Sequence, residues 1–295
     1  MPSLRIELTG QVPRIVRGGD PVAVAALQRL QTRLALAVLV LERDSPPSKH
    51  RLSDILWPDG SPPTWDTALR GTVSRVRAAL LEAGLSKDAV TSSSTGVRVR
   101  LPPDTVVDVE LAAAELAAAE QAITDGDHEH AYAAACTAGA IARATLLPDC
   151  GGEWVEQWRV RLASWYERSL AVAAQSAVAL GRYPAAVAAG EDALRADPYA
   201  EWAFRILMRA RAAAGERAAA LDVYERCRRR LRDDLGVNPS PETEAAYLEL
   251  LGADPSVADS RFPLVGRDAE LATLAAQWAH AGDAGPRGVV LVGEP

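Results

Sequence analysis

A predicted helix from about Asp66 to Leu81 carries a group of polar and basic side chains that could contact a ligand. Its apolar residues recur every three or four positions and predict one buried stripe, made of Leu69, Val73, Val76 and Leu80. At about 100° per residue, the opposite face of this helix is small, polar and basic. That face consists of Thr67, Gly71, Ser74, Arg75 and Ala78, with Arg70 and Arg77 on its flanks.

A helix enters the major groove of B-DNA only where its outward side chains are slim, and the small residues of this face meet that condition. We therefore expect Arg70 and Ser74 to reach base edges, while Arg75 and Arg77 neutralise phosphates. The alternative is an ordinary amphipathic surface helix, which an isolated Arg-rich helix would favour. The elements on either side of the helix reverse that preference.

A short helix and a loop precede the long helix. Ser48 is a predicted N-cap for a helix that carries Leu52, Ile55 and Leu56 on its apolar side. The loop from Trp57 to Thr64 contains three prolines, which cannot continue a helix. Short helix, loop and long helix together predict a helix-turn-helix.

A two-stranded wing is predicted after the long helix, which Gly84 ends. Residues Ala89 to Thr91 and Val97 to Leu101 have the composition of strands joined by a Ser- and Gly-containing turn. Strand alternation places Arg98 and Arg100 on one face, apart from the apolar residues, where phosphates would be met. With the wing added, the segment predicts a winged helix-turn-helix.

The segment resembles the OmpR-type winged helix and, more closely, the DNA-binding domain of the Streptomyces antibiotic regulatory protein (SARP) family. The resemblance is carried by the stretch LSDILWPDGSPPTWDTALRGTVSRVRAAL, with its Leu-x-x-x-Leu-Trp helix end, Pro-Pro loop and Val-Ser-Arg-hydrophobic-Arg core. It implies N-terminal strands containing Leu4, Ile6 and Leu8, and a first core helix from Leu27 to Leu41. The first domain is thereby expected to span residues 1–104.

Net charge separates the two parts of the chain. The whole chain of 295 residues has a formal charge of −7, but residues 1–101 carry +5 and residues 102–295 carry −12. Positive potential is thus confined to the predicted DNA-reading end, and the acidic remainder should suppress nonspecific binding elsewhere.

Alanine-rich stretches of helical period follow Pro102 and Pro103 and predict an all-α second domain over residues 105–252. In this domain Asp108 is a predicted N-cap for a helix from Val109 to Ile123. Two sequence segments within residues 181–236 align at an offset of 34 residues, which is the tetratricopeptide period. The aligned pairs are Gly181 with Gly215, Ala186 with Ala220, and Ala193 with Cys227.

Residues 146–251 resemble the bacterial transcriptional activator domain of the SARP family in almost every successive sequence motif. The resemblance runs from the Leu-Leu-Pro-Asp turn through a Trp-bearing helix to the string DLGVNPSPET, which is its most diagnostic part. The tryptophans of that helix, Trp154, Trp158 and Trp165, are expected to pack between helices rather than to bind a ligand.

Residues 253–295 resemble the linker and incomplete start of a signal-transduction ATPase. The strand GVVLVGEP runs into Gly293, the potential first glycine of a Walker A loop, but the second glycine, the Lys and the Ser or Thr are not reached by Pro295. No cofactor is therefore expected for this chain, and ATP with Mg²⁺ only if a longer protein continues through a complete motif.

No enzyme activity, metal site or membrane segment is predicted. The three cysteines form no C-x-x-C pair, and His128 and His130 with Cys136 lack a fourth ligand. The first ten residues contain no apolar run of the length that a signal peptide or membrane helix needs, so a cytoplasmic, nucleoid-associated protein is expected.

The resemblance implies a sequence-specific activator that binds direct repeats in promoter DNA as side-by-side protomers or a homodimer. It implies recruitment of RNA polymerase holoenzyme including the sigma factor, and control of secondary-metabolite (antibiotic) genes. The expected polymerase-contact loop comprises Trp57, Asp59, Gly60, Ser61, Pro62, Pro63 and Trp65. The alternatives are a helical-repeat adaptor and an NTP-switched signalling scaffold, in both of which the winged helix is a docking module.

Overall fold

The computed structural model describes residues 4–94 and 96–252, and the chain divides into two compact units, Met1–Pro239 and Ser240–Pro295. The first unit begins with a small sheet and a winged helix-turn-helix and continues as packed helices. The predicted fold class, mainly α with an N-terminal winged helix, is confirmed. The predicted ATPase start over residues 253–295 lies outside the described residues.

The N-terminal sheet forms because apolar and polar residues alternate along its strands. Leu4 and Ile6 in the first strand are buried and pack beside Ile15 in the second. The first three strands are antiparallel neighbours and are named β1 (Leu4–Glu7), β2 (Arg14–Arg17) and β3 (Asp20–Val22).

Three helices form the helix-turn-helix. They are α1 (Leu30–Leu41), α2 (Lys49–Leu56) and α3 (Trp65–Glu82). The helix predicted to begin at Leu27 begins three residues later, because Arg29 is extended and separates α1 from the 3₁₀ turn Ala25–Gln28. Ser48 is the N-cap of α2, as predicted, since its side chain accepts from the Arg51 N–H at 3.1 Å.

The wing is a hairpin of β4 (Val90–Ser92) and β5 (Val97–Val99), close to the predicted strands. A further strand, β6 (Val106–Val107), returns to the N-terminal sheet and pairs in parallel with β1. The sheet order is therefore β3-β2-β1-β6, so the chain leaves the winged helix beside the strand where it began.

The all-helical part follows β6 directly. Its helices are α4 (Asp108–Thr124), α5 (His128–Ala142), α6 (Glu153–Ala179), α7 (Tyr183–Ala196), α8 (Glu201–Ala213) and α9 (Arg217–Arg230), followed by a π-helical turn Leu231–Leu235. The 34-residue offset corresponds to a structural repeat, since α7 and α9 occupy equivalent positions and the aligned alanines Ala186 and Ala220 are fully buried. Small residues there let the paired helices pack closely.

The second unit contains α10 (Pro241–Leu251) among the described residues. Pro241 occupies the first turn, where its missing N–H costs nothing, and Gly252 ends the helix in the left-handed conformation.

One hydrophobic core joins the winged helix to the helices that follow. Buried residues of β1, α1, α2 and α3 belong to the same cluster as Leu146, Leu147, Trp154, Val155 and Leu162 from the all-helical part. Trp158 and Trp165 pack against this cluster, so the expectation that the tryptophans pack between helices is confirmed. Because the two parts share one interior, contacts across them fix the winged helix in place.

Candidate nucleic-acid interface

Helix phase predicted most of the exposed face of α3, but Arg75, which it placed on that face, is half-buried. Thr67, Arg70, Ser74 and Ala78 are exposed, and Gly71 is half-buried. The opposite face packs into the core through Leu69, Thr72, Val73, Val76, Ala79 and Leu80. This arrangement leaves one narrow polar strip of α3 open to a ligand.

Arg70 is the most accessible cation of this strip, with 74% of its side chain exposed. Its guanidinium pairs with Asp66 one turn earlier on α3. An exposed pair of this kind contributes little to stability, roughly 0–1 kcal/mol, and is readily exchanged for another anion. Arg70 is therefore free to turn toward a base or a phosphate.

Arg75 and Arg77 are half-buried and hydrogen-bonded inside the protein. Arg75 donates from Nε to Thr32 Oγ1 of α1 at 3.3 Å and from Nη2 to Thr72 Oγ1 at 3.0 Å. Arg77 donates from Nε to the Val90 carbonyl of β4 at 3.2 Å. Both arginines thus fasten α3 to a neighbouring element, in addition to the charge that they present.

The wing carries its arginines on the exposed side. Arg98 stands between the buried Val97 and Val99 and pairs with Thr91 across the hairpin. Arg100 is also exposed, and its N–H donates to the Ala89 carbonyl at 2.8 Å. The alternation predicted from the sequence is observed, so both guanidinium groups are directed away from the apolar core.

The loop between α2 and α3 is anchored at both ends and exposed in the middle. Trp57 and Trp65 pack against the core, and the Trp65 ring lies 4.8 Å from the His50 ring. Ser61 Oγ is 2.8 Å from Ser53 Oγ of α2. The residues at its exposed centre are Asp59, Gly60, Ser61 and Pro63, with Pro62 half-buried. The loop therefore presents a defined surface.

Asp108 joins the all-helical part to the N-terminal sheet, a role that the sequence did not reveal. The prediction that it caps a helix beginning at Val109 is wrong, because α4 begins at Asp108 itself and Val107 is the N-cap. The buried carboxylate accepts from the adjacent Val109 N at 2.8 Å. It also accepts from the residues that follow β1, namely from Leu8 N at 2.9 Å, Thr9 N at 2.9 Å and Thr9 Oγ1 at 2.7 Å. These partners lie about a hundred positions earlier in the chain, so no local signal could indicate them.

Glu42 makes a second connection between the two parts. At the C-terminal end of α1 its carboxylate accepts from Trp154 Nε1 of α6 at 2.8 Å and from Arg51 of α2 at 2.8 and 3.2 Å. The hydrogen bond to Glu42 raises the pKa of Arg51. One carboxylate thereby holds α1, α2 and α6 together.

A third connection is an ion pair between Arg43 and Glu110 of α4. The hydrogen bond to this glutamate raises the pKa of Arg43, with burial acting in the opposite direction. The winged helix is thus held to α4 and α6 by charged groups as well as by apolar packing.

Comparison with known proteins identifies the second part of this architecture. Residues 107–251 match the family model described as "Bacterial transcriptional activator domain". Regulatory protein AfsR of Streptomyces coelicolor is 31% identical over 257 residues, which cover 87% of this chain and 25% of AfsR. Transcriptional regulatory protein EmbR of Mycobacterium tuberculosis is 28% identical over 225 residues, which cover 76% of this chain and 58% of EmbR.

A solved structure is similar over nearly the whole chain. Mycobacterium tuberculosis EmbR in complex with a low affinity phosphopeptide matches with a TM-score of 0.75 at 25% identity, covering 95% of this chain and 71% of that chain. A winged helix continuous with a bacterial transcriptional activator domain defines a class of transcriptional regulators. Within that class, the chain belongs to the Streptomyces antibiotic regulatory protein family. It spans about a quarter of AfsR and 58% of EmbR.

No helix among the described residues is long and apolar enough to span a membrane.

Proposed function

We propose that the protein is a sequence-specific DNA-binding transcriptional activator. The observation that carries the proposal is the exposed strip of α3, in which Arg70 and Ser74 flank the small Gly71 on a helix whose other face is fixed in the core. A rigid helix with slim residues between hydrogen-bonding ones fits the major groove. The charge of +5 on residues 1–101 supplies attraction to phosphates, which the acidic remainder does not.

In this proposal each residue of the strip and the wing has a distinct part. Arg70 and Ser74 read base edges, with Thr67 and Gly71 at the groove floor, while Arg98 and Arg100 of the wing meet phosphates. Arg75 and Arg77 contribute charge from half-buried positions. The protein binds direct repeats in DNA either as side-by-side protomers or as a homodimer, and the target genes are those of secondary metabolism.

The polymerase-contact surface in this proposal is the loop between α2 and α3. Its exposed centre, Asp59 to Pro63, lies beside α3, and Trp57 and Trp65 fix the position of the loop by packing against the core. A loop presented in this way meets RNA polymerase holoenzyme, including the sigma factor, when the protein occupies a site next to the promoter. Recruitment follows from this second contact, and no catalytic step is required.

Substituting Arg70 tests the DNA-reading role. We expect Arg70→Ala to weaken binding to the cognate site by about 1–3 kcal/mol, the value of one base contact. The site is first located by footprinting upstream of neighbouring genes, and affinities are measured by fluorescence titration. Arg195→Ala is a matched control, because Arg195 is 70% exposed and pairs with Asp192 on α7 just as Arg70 pairs with Asp66 on α3.

Equal cognate affinity for Arg70→Ala and Arg195→Ala would show that Arg70 does not read a base. Absence of any footprint would favour the adaptor, in which the winged helix is a docking module.

Replacing the loop tests recruitment separately. We expect the single substitutions Asp59→Ala and Pro63→Ala, and replacement of residues 59–63 by Gly and Ser, to reduce transcription in vitro while the footprint persists. Both single sites are exposed, so neither removes a buried contact. Full transcription with the replaced loop would eliminate it as a polymerase contact, and loss of the footprint together with transcription would assign it a folding role.

A further inference from the structure

Arg17, the last residue of β2, reaches across to the C-terminal end of α3. Its Nη1 donates to the Ala83 carbonyl at 2.7 Å, and Ala83 is the residue that caps α3. The C-terminal end of a helix carries partial negative charge, which a guanidinium complements. Arg17 therefore satisfies a carbonyl that the helix itself does not use.

The turn after α3 is shaped around this arginine. Leu85 N donates to Leu80 O at 2.9 Å and Gly84 N to Leu81 O at 2.8 Å, which closes the helix through a left-handed residue, Gly84, with φ of +81°. A Cβ placed on Gly84 would lie 1.6 Å from Arg17 Nη1. Glycine at this position thus provides the backbone conformation and also leaves room for the guanidinium.

The contact lies where the recognition helix passes into the wing. Beyond Gly84 the chain buries Leu85 and Ala89 and then enters β4, and Arg100 after β5 returns a hydrogen bond to the Ala89 carbonyl. On the other side, Arg17 belongs to β2, which is held in register with β1 from Leu4 to Glu7. One side chain accordingly connects the N-terminal sheet to the junction of α3 and the wing.

We propose that Arg17 is a positioning residue for DNA reading, which sets the direction of α3 and its wing without contacting a base. This inference rests on the proposed DNA-binding function. Loss of the Arg17 contact therefore affects only those DNA complexes in which several side chains must contact specific bases at the same time. A small tilt of α3 misaligns base contacts but leaves the attraction between basic groups and phosphates intact. An Arg17 variant should therefore lose discrimination between the cognate site and unrelated DNA.

The first experiment compares two DNAs in the full chain. We expect Arg17→Met to raise the Kd for the cognate site by about threefold to tenfold, the effect of losing one charge-assisted hydrogen bond at a partly exposed position. The Kd for unrelated DNA and the dependence of log K on log salt should stay unchanged. Arg17→Lys, which keeps the charge at the helix end, should restore part of the discrimination.

A second experiment displaces the arginine without changing it. Gly84→Ala places a Cβ 1.6 Å from Arg17 Nη1 at a φ of +81°. Gly215→Ala introduces the same backbone strain at +82° with no neighbouring atom within 4 Å of the new Cβ. We expect Gly84→Ala to lose discrimination and Gly215→Ala to keep it. In the double variant with Arg17→Met, Gly84→Ala should add little to the loss, because the contact is already absent.

Hydrogen exchange tests the contact without DNA. In Arg17→Met, the amides of Gly84 and Leu85 should exchange faster than in the parent protein, while those within α7 keep their rates. This measurement stands even if the protein has no specific DNA site, which would overturn the proposed function alone. Unchanged exchange at both amides would overturn the positioning role.

Three binding results would also overturn it. They are a salt slope that falls by about one unit, which indicates a phosphate contact, an equal loss on both DNAs, and equal behaviour of Gly84→Ala and Gly215→Ala. Arg17→Gln is a milder variant for use if Arg17→Met unfolds below the assay temperature.

Discussion

Replacing Asp108 with alanine should destabilise the protein far more than its place in a helical first turn suggests. The carboxylate is 2% exposed and accepts from the main-chain N–H groups of Leu8 and Thr9 and from the Thr9 hydroxyl. Hydrogen bonds to a charged group contribute about 1.5–3 kcal/mol, and a buried donor left unpaired costs about 1–3 kcal/mol. Because water can reach Thr9 more easily than Leu8, we expect a loss of roughly 2–4 kcal/mol in the free energy of unfolding.

Asp127→Ala is the matched control. Asp127 is the N-cap of α5 and accepts from His130 N at 3.1 Å, but it is exposed and has a local partner. Loss of such a cap costs about 1 kcal/mol. Urea unfolding of the full chain, followed by circular dichroism, measures both variants. Asp108→Asn, which keeps one carbonyl oxygen, should lie between Asp108→Ala and the parent protein.

An Asp108→Ala variant no less stable than Asp127→Ala would refute the reasoning, since burial and long-range partners would then have added nothing. Thr9→Val gives a further check within the same cluster. It removes the hydroxyl donor alone, so we expect the free energy of unfolding to fall by about 1 kcal/mol.

Three further outcomes are expected. If the Arg77 guanidinium contacts a phosphate, Arg77→Ala should weaken binding to all DNA sequences and lower the slope of log K against log salt by about one unit. Loss of stability with an unchanged slope would show that the role of Arg77 is its hydrogen bond to the Val90 carbonyl alone. Gly96→Ala should loosen the wing, because the new Cβ would lie 2.5 Å from the Pro47 carbonyl, and faster exchange at the Val97 amide would reveal it. Burial raises the pKa of the Cys227 thiol to about 12 from an ordinary 9.0. The stability that this thiol contributes should therefore be complete below pH 9 and decline as the pH rises toward 12. Urea unfolding of the parent protein and of Cys227→Ala at several pH values would measure this decline.

The winged helix was predictable because its signals are local. The spacing of Leu69, Val73 and Val76 on α3, the prolines of the loop and the Ser48 cap each act within a few residues. The same holds for the repeat, in which Ala186 and Ala220 occupy equivalent buried positions. Such patterns reflect helix geometry and burial, which act wherever the chain folds.

The contacts that orient the winged helix were not predictable in the same way. Asp108 looked like a helix cap, and Arg17 and Glu42 carried no signal at all. Their partners lie far away along the chain, with Arg17 and Ala83 separated by 66 positions. A hydrogen bond of this kind depends on where the strands and helices come together, which a local pattern does not specify.

The sequence alone predicted the type and order of the elements and most of the exposed face of α3, although not the half-buried position of Arg75. It did so because helical period and strand alternation sort side chains into buried and exposed faces. The folded structure was needed to show that Arg75 and Arg77 donate to Thr32 and Val90, and that the winged helix shares its core with α6. Those outcomes depend on packing between distant segments, where the shape of one surface fixes what the other can contact.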